Sequence, residues 1–210
     1  MAENRTTISN FKARLEGGGG RPNLFEVSIP AFPATIATSW GDEDQRDFGF
    51  LCKATSLPAQ NVAAIDVPFR GRTFKVAGDR TIDNWSITVI NDEDFNLRAA
   101  FEQWSELMAK LDNNMGATNP GEYMVDATVK QLGRGQRKRS DTNDGTNHAV
   151  LRVYEFIQIF PITVGDIALS YDTGDTIEEF DVEFAVQSLR LSKPAFSPIQ
   201  SSSDAPPTSA

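Results

Sequence analysis

Few side chains of this sequence have the chemistry of a catalytic group. It contains one histidine, His148, and one cysteine, Cys52. Histidine pairs, metal sites built from several histidines, disulfides within the chain and cysteine zinc clusters are therefore excluded within one subunit. His148 lies in a polar stretch beside Asp141 and Asp144, but no nucleophile-elbow motif accompanies it. We expect a solvated His148, and a buried Cys52 thiol because this residue lies on the apolar side of an alternating segment.

Carboxylates cluster in two places without the spacing of a calcium loop. One cluster is the acidic run at 42–44, and the other lies within the sequence YDTGDTIEEF at 171–180. A calcium loop places acids at alternating positions, with a fixed glycine and a closing glutamate. We therefore expect both clusters to lie in solvated turns, and we predict no metal or other cofactor.

Basic residues concentrate in one polar stretch of the sequence. They are Arg134, Arg137, Lys138 and Arg139. No aromatic residues are interleaved with them for bases to stack on. Such a charged loop suits either an acidic surface of a neighbouring subunit or the backbone of a nucleic acid, and the sequence favours neither interpretation over the other.

Length and charge limit the possible classes of function. The chain has 210 residues, enough for one large domain or two small ones, and 29 acids against 20 bases give a net charge of −9. This charge argues against a broadly basic nucleic-acid binder and against adhesion to anionic membranes. No apolar run has the length of a signal peptide or a membrane span. We expect no membrane anchor and a reducing, cytoplasmic setting.

Alternation of apolar and polar residues predicts a mainly β domain. The alternating segments are 25–29, 48–53, 84–89, 123–130 and 179–187. The segment 150–160 is apolar on both parities, which is typical of a strand covered on both sides. The apolar parity changes after Gln187–Ser188, which predicts a bulge there.

One segment, between Asp92 and Asn113, has the helical period instead. Its apolar residues recur every three or four positions and form one stripe, which consists of Leu97, Phe101, Trp104, Met108 and Leu111. Asn91 or Asp92 is suited to cap the start, and Asn113–Gly116 offers a left-handed stop. We expect this helix to pack its stripe against the core.

The chain divides into three parts by composition. Residues 1–21 form an N-terminal arm with a short amphipathic helical pattern and a glycine-rich linker, 22–193 form the β domain, and 194–210 form a Ser/Pro-rich tail that we expect to be disordered. Within the domain, the stretches 56–80 and 132–148 are predicted to be long irregular loops. Loops of this length are usually functional or disordered.

The order of motifs between residues 50 and 111 resembles one family. An extended strand is followed by a loop with RGRTF and AGDR, a strand WSITV and a helix that opens with NDEDFNLR. This arrangement resembles the tail tube protein of contractile-tailed bacteriophages, whose fold is similar to the type VI secretion inner tube. The C-terminal half also fits this family, since it contains Phe160-Pro161, Gly165-Asp166 and a last strand with the pattern EFxVxF. The resemblance covers about residues 22–192.

The resemblance implies a structural protein without catalytic activity or cofactor. The implied fold is mainly β, with two packed antiparallel sheets approaching a barrel and one flanking helix. Six copies would form a ring whose strands complete an inner barrel, and stacked rings would form a hollow conduit for the genome. The implied partners are identical copies, the tail sheath, the baseplate and the tail terminator, while DNA passes without specific binding. The implied location is the virion tail, assembled in the host cytoplasm.

Three candidate contact surfaces follow from the resemblance. The stretch 56–80 resembles the family's ring-stacking loop, and its candidate contact residues are Phe69, Arg70, Arg72, Phe74 and Arg80. The polar face of the helix is a candidate contact with the next subunit and consists of Arg98, Glu102, Gln103 and Glu106. The candidate bore residues, with an exterior face against the sheath as the alternative, are Glu179, Asp181 and Glu183.

Two other classes of function stay open at this point. One is a soluble β-rich binding module whose basic loop 134–139 contacts nucleic acid. The other is a carrier-type β-barrel that holds an apolar ligand. Rings or tubes of the pure protein would favour the tail tube, whereas a stable monomer with salt-sensitive DNA affinity would favour the binding module.

Overall fold

A computed structural model describes residues 7–14, 19–36, 40–134, 150–172 and 174–192. The strands are β1 (Phe25–Ser28), β2 (Cys52–Thr55), β3 (Gln60–Phe69), β4 (Arg72–Ile82), β5 (Trp85–Ile90), β6 (Val125–Leu132), β7 (Val150–Val164) and β8 (Glu179–Ser192). The helices are α1 (Ile8–Arg14), α2 (Asp42–Leu51), α3 (Asn96–Met108) and a 3-10 turn at Pro120–Glu122. The mainly β class predicted from the alternation is confirmed.

Six of the strands form one antiparallel sheet in the order β1-β6-β7-β8-β5-β2. The sheet curves nearly into a barrel, and an open cleft of about 470 Å³ separates its two edge strands. Phe25 of β1 and Thr55 of β2 line this cleft together with Val129 and Tyr154. The second sheet is the two-stranded β3–β4 hairpin, whose strand β4 touches β8.

Stacked aromatic rings form the core between the sheet and α3. Trp85 stacks on Phe156 and Phe184, with ring centroids 4.6 and 5.1 Å apart. From α3, Trp104 packs against Phe184 at 5.9 Å, and its indole N–H donates to the Tyr123 carbonyl at 2.7 Å. Each fully buried aromatic side chain contributes about 1.5–3 kcal/mol, so these rings supply much of the stability.

Helix α3 confirms the predicted stripe but is shorter than expected. Leu97, Phe101 and Trp104 are buried, as predicted. The helix begins after Phe95, which has a left-handed φ of 55° and whose N–H donates to the Asp92 carbonyl. The turn from Asp92 to Phe95 precedes the first helical residue, so the N-cap is Phe95 and neither Asn91 nor Asp92. The helix ends at Met108, and the predicted stripe residue Leu111 therefore lies beyond it, 93% exposed.

Helix α2 replaces most of a predicted strand and adds a second helix to the predicted flanking helix α3. The alternation of Phe48, Phe50 and Cys52 covers only three apolar positions, which is too few to distinguish the two periods. Gly41 N–H donates to Asp44 Oδ2 at 2.7 Å, and this capping box starts a helix at the acidic run. Phe48 then faces the core, while Phe50 is 83% exposed. The short helix predicted in the N-terminal arm is confirmed as α1.

The predicted change of parity near Gln187 is confirmed, but its cause lies elsewhere. Val186 and Leu189 both pack against the core although they are three positions apart. The pairing register between β8 and β7 is the same on both sides of Gln187. The irregular residue is Gln158 of β7, with a φ of 56° and its N–H donating to Asp126 Oδ1 at 2.9 Å.

Candidate assembly surfaces

The stretch 56–80, predicted to be an irregular loop, is mostly a regular β-hairpin. Strands β3 and β4 pair from Gln60–Ile82 to Phe69–Arg72. The turn between them consists of Arg70 and Gly71, with φ values of 45° and 80°. Two-residue turns with positive φ at both positions match the twist of the flanking strands, and glycine is favoured at the second position. The turn thus holds Arg70 and Arg72 together at the tip.

The hairpin exposes a continuous apolar face. Every residue of β3 is exposed. Ile65 pairs with Val76 and Val67 with Phe74, so the side chains of each pair lie on the same face as Phe69. The aromatic rings of Phe69 and Phe74 are 65% and 66% exposed. Contiguous apolar surface of this kind marks a protein interaction site.

Positive charge lies at the tip of this apolar face. The hairpin carries four bases, which are Arg70, Arg72, Lys75 and Arg80. The guanidinium of Arg70 lies 5.4 Å from the ring centre of Phe69, whereas Lys75 is 3.6 Å from the Asp66 carboxylate on the opposite face. Arg80 pairs with Val62 near the base, away from the tip. The structure therefore brings four of the five predicted contact residues together at the tip and leaves Arg80 apart.

The three candidate bore carboxylates lie on the solvent face of β8. They alternate with Phe180, Val182 and Phe184, which are fully buried on the other face. Each carboxylate has a partner on a neighbouring strand or turn: Lys53 pairs with Glu179, Thr88 Oγ1 donates to Asp181 Oδ1 at 2.7 Å, and Asn84 Nδ2 donates to Glu183 Oε1 at 2.9 Å. The structure thus confirms that they share one face and fixes each of them by a hydrogen bond.

This polar face continues across the other half of the sheet. Lys130 of β6 pairs with Glu26 of β1 at 2.9 Å, and Arg190 of β8 is 3.7 Å from Glu155 of β7. The face opposite the aromatic core therefore carries charged pairs on both halves of the sheet. Such a face is suited to water contact rather than to packing.

The candidate contact face of α3 separates into two parts. Glu102, Gln103 and Glu106 are exposed. Arg98 is only 18% exposed, because its Nε donates to Glu102 at 2.8 Å and a terminal nitrogen donates to the Gly165 carbonyl at 3.0 Å. Its guanidinium also lies 5.3 Å from the ring centre of Phe180. Arg98 therefore links elements of its own subunit, which the sequence pattern did not indicate.

The groups with reactive chemistry have no site around them in the described part of the chain. Burial raises the pKa of the Cys52 thiol from 9.0 to about 12, so it stays protonated and unreactive. Arg134 is exposed, while Arg137, Lys138, Arg139 and the histidine at 148 lie outside the described residues. Among residues that the structure describes, no three His, Cys, Asp or Glu side chains converge as metal ligands. Every helix within these ranges is too short or too polar to span a membrane.

Comparison with known proteins identifies the family. The protein-family model described as "Phage tail tube protein" matches residues 20–190. The chain belongs to the phage tail tube family. The tail tube protein gp19 of Enterobacteria phage T4 is 34% identical over 175 residues, which cover 83% of this chain and 93% of gp19. The gp19 protein of phage T6 has the same identity and coverage. The chain is thus a structural component of a virion tail and not an enzyme.

Solved structures confirm the fold. A subunit in the structure of the anti-feeding prophage cap, which terminates the tube, superposes with a TM-score of 0.56 at 15% identity, covering 84% of this chain and 92% of that one. A subunit of the sheath–tube complex of an extracellular contractile injection system superposes with a TM-score of 0.52 at 15% identity, covering 90% and 99%. At this identity the likeness establishes a shared fold alone.

Proposed function

We propose that this tail tube protein forms hexameric rings that stack into the hollow tube of a contractile tail, through which DNA leaves the virion. The observation that carries the proposal is the β3–β4 hairpin. An isolated two-stranded hairpin is at best marginally stable in water, and this one keeps its large apolar residues exposed. A neighbouring copy that covers this face stabilises both the hairpin and the assembly.

Contacts within a ring are proposed along the sheet edges and the helix. In the described residues, β1 pairs only with β6 and β2 only with β5, so each leaves one row of backbone groups unpaired. Closing a ring of identical copies removes such edges. The exposed face of α3 with Glu102, Gln103 and Glu106 is a second contact with the next subunit. Arg98 does not belong to that contact, because its donors are engaged within its own subunit.

The hydrophilic sheet face is proposed to line the bore. Glu179, Asp181 and Glu183 give this face negative charge, and their partners hold the carboxylates in fixed positions. DNA phosphates are repelled by such a surface, so the genome slides through rather than adhering to the wall. We propose the opposite, outer side of the tube as the surface that meets the sheath. A baseplate and a terminator would then bind the two tube ends.

The proposal is tested by assembly of the purified protein. Negative-stain electron microscopy and sedimentation should show rings or tubes, with an initiating baseplate complex added if tubes do not start alone. Phe74→Asp should abolish tubes with little loss of thermal stability in the subunit, because the Phe74 ring is 66% exposed there and is proposed to be covered by another copy. Leu111→Asp is the matched control, since Leu111 is exposed outside the hairpin.

Two outcomes would contradict the proposal. Monomers at every concentration, even with an initiating complex, would refute ring and tube formation. Tubes of normal length from the Phe74→Asp variant would refute the assignment of the hairpin. A stable monomer whose affinity for DNA falls steeply with salt would instead support a nucleic-acid binding module.

A further inference from the structure

The six-stranded sheet has two ends of different character. At one end, β2 ends at Thr55 and β5 begins at Trp85. The chain leaves the sheet there to form the hairpin and then returns, so we call this the hairpin end. The opposite end is where β5 ends at Ile90 and pairs with Glu179 at the start of β8. Since β5 and β8 are antiparallel neighbours, the loop that follows β5 and the loop that precedes β8 both start from this second end.

The second end is strongly acidic. It is formed by the loop 91–95 and by residues 165–172 and 174–178 of the loop before β8. Asn91 joins the two loops by donating its backbone N–H to the Glu178 carbonyl at 2.9 Å. The two loops contain seven carboxylates, Asp92, Glu93, Asp94, Asp166, Asp172, Asp175 and Glu178, and no lysine or arginine. The nearby cations do not neutralise them, since Lys53 pairs with Glu179 and Arg98 with Glu102. We call this surface the acidic end.

The acidic end also exposes large apolar side chains. Leu169 is 80% exposed, Ile177 is 72% exposed and Tyr171 is fully exposed. Phe95 in the loop 91–95 is 46% exposed. An acidic surface that mixes carboxylates with uncovered apolar groups matches the hairpin tip, where Arg70 and Arg72 accompany exposed aromatic rings.

We propose that the acidic end of one copy receives the hairpin tip of a copy in the next ring. This inference rests on the proposed stacking of rings. Arg70 and Arg72 pair with the carboxylates of the loops, while Phe69 and Phe74 pack against the exposed apolar side chains such as Leu169 and Tyr171. Opposite charge selects this pairing over tip-to-tip and acidic-to-acidic contacts, which bring like charges together.

The placement of the two surfaces explains why ring after ring can be added to the same tube. They lie at opposite ends of the sheet, so each copy offers a tip in one direction and an acidic end in the other. A heterologous contact of this kind does not close and builds an open filament. The ten residues of β3 extend about 33 Å at the usual strand rise of about 3.3 Å per residue, which is long enough to project into an adjacent ring.

The experiment reverses the charge of each surface separately and together. One variant carries Arg70→Glu and Arg72→Glu, a second carries Asp172→Lys and Asp175→Lys, and a third carries all four changes. Ring formation is followed by native mass spectrometry and tube length by negative-stain microscopy, at low and high salt. The control is Glu43→Lys with Asp112→Lys, which changes two exposed acids outside both surfaces and raises the net charge by the same amount as the second variant.

We expect each single-surface variant to form rings but to lose tubes at least about tenfold at low salt, because like charges then face each other. The four-change variant should regain tubes, since the attraction is restored with the signs exchanged. Wild-type tubes should shorten as salt rises, because exposed charge pairs are screened at high ionic strength. The control should build tubes of wild-type length.

The possible failures are distinguishable. If the wild type forms neither rings nor tubes, the proposed function itself fails. If the wild type forms tubes and the Asp172→Lys, Asp175→Lys variant forms tubes of equal length, the acidic end is not the receiving surface. If both single-surface variants fail to stack and the four-change variant fails as well, the two surfaces do not meet, and this inference is overturned while ring stacking stands.

Discussion

The core of the sheet and the β3–β4 hairpin both contain aromatic residues, but these residues are buried in the core and exposed to solvent on the hairpin. Trp85 and Phe184 are fully buried, whereas Phe69 and Phe74 are about two-thirds exposed. Burial within the subunit gives the first pair a stabilising role in the folded chain. The second pair is exposed in the subunit, and we propose that another copy covers it in the tube. From this comparison we expect the stability of the subunit and the proposed assembly of the tube to depend on separate sets of apolar residues.

The largest expected difference is between Phe184→Ala and Phe74→Ala. Phe184 contacts Trp85, Trp104 and Phe101, so its truncation should lower the free energy of unfolding by about 3–5 kcal/mol. Phe74→Ala should change it by less than about 0.5 kcal/mol, because its ring is already exposed. Urea unfolding of the non-assembled subunit measures both values. Equal losses would contradict the separation of roles.

An intermediate effect is expected from the buried thiol. The pKa of the Cys52 thiol is about 12 in the folded protein and 9.0 in the unfolded chain. The resulting stabilisation is complete below pH 9 and declines as pH rises towards 12, by at most about 1.4 kcal/mol per unit. The difference in unfolding free energy between wild type and Cys52→Ala should therefore shrink above pH 9.

A thiol reagent extends this test to the hairpin. Cys52 should react only as fast as the subunit unfolds. A thiol placed by Val67→Cys in the Cys52→Ala background should react at once, because Val67 is 44% exposed. Fast labelling of Cys52 in the native protein would show that this part of the core opens readily.

The smallest expected difference concerns two ion pairs. Arg98 is 18% exposed and also contacts Gly165 and Phe180, so Arg98→Met should cost about 1–2 kcal/mol of stability. Lys75 pairs with Asp66 at 3.6 Å but is 72% exposed, and Lys75→Met should cost about 0–0.5 kcal/mol. Thermal unfolding of the two variants in parallel checks the order, and a larger loss for Lys75→Met would reverse the comparison.

The sequence predicts best where one face of an element is buried. Alternation locates β5 and β8 because their apolar residues enter the core, and the stripe of Leu97, Phe101 and Trp104 locates α3 for the same reason. Helix α2 is missed because three alternating residues fit both periods and its start depends on one capping contact. The ends of α3 depend on the backbone turn at Phe95, which side-chain patterns do not specify.

The candidate surfaces are predictable in part. The resemblance selects the residues of the hairpin tip, and alternation places the three carboxylates of β8 on one face. The hairpin itself could have been found, since Ile65, Val67 and Phe69 alternate before the Arg70-Gly71 turn and Phe74 and Val76 alternate after it. The link from Arg98 to Gly165 joins residues far apart in the chain, so only the folded structure reveals it.

The long ladder between β7 and β8 has a mechanical consequence. It runs from the Val153–Ser192 pair to the Val164–Val182 pair and so joins the hairpin end of the subunit to the acidic end. A force that pulls these ends apart acts along the strands and loads the hydrogen bonds of the ladder in shear. Many bonds must then break together rather than one after another, which equips the subunit to withstand tension along its length.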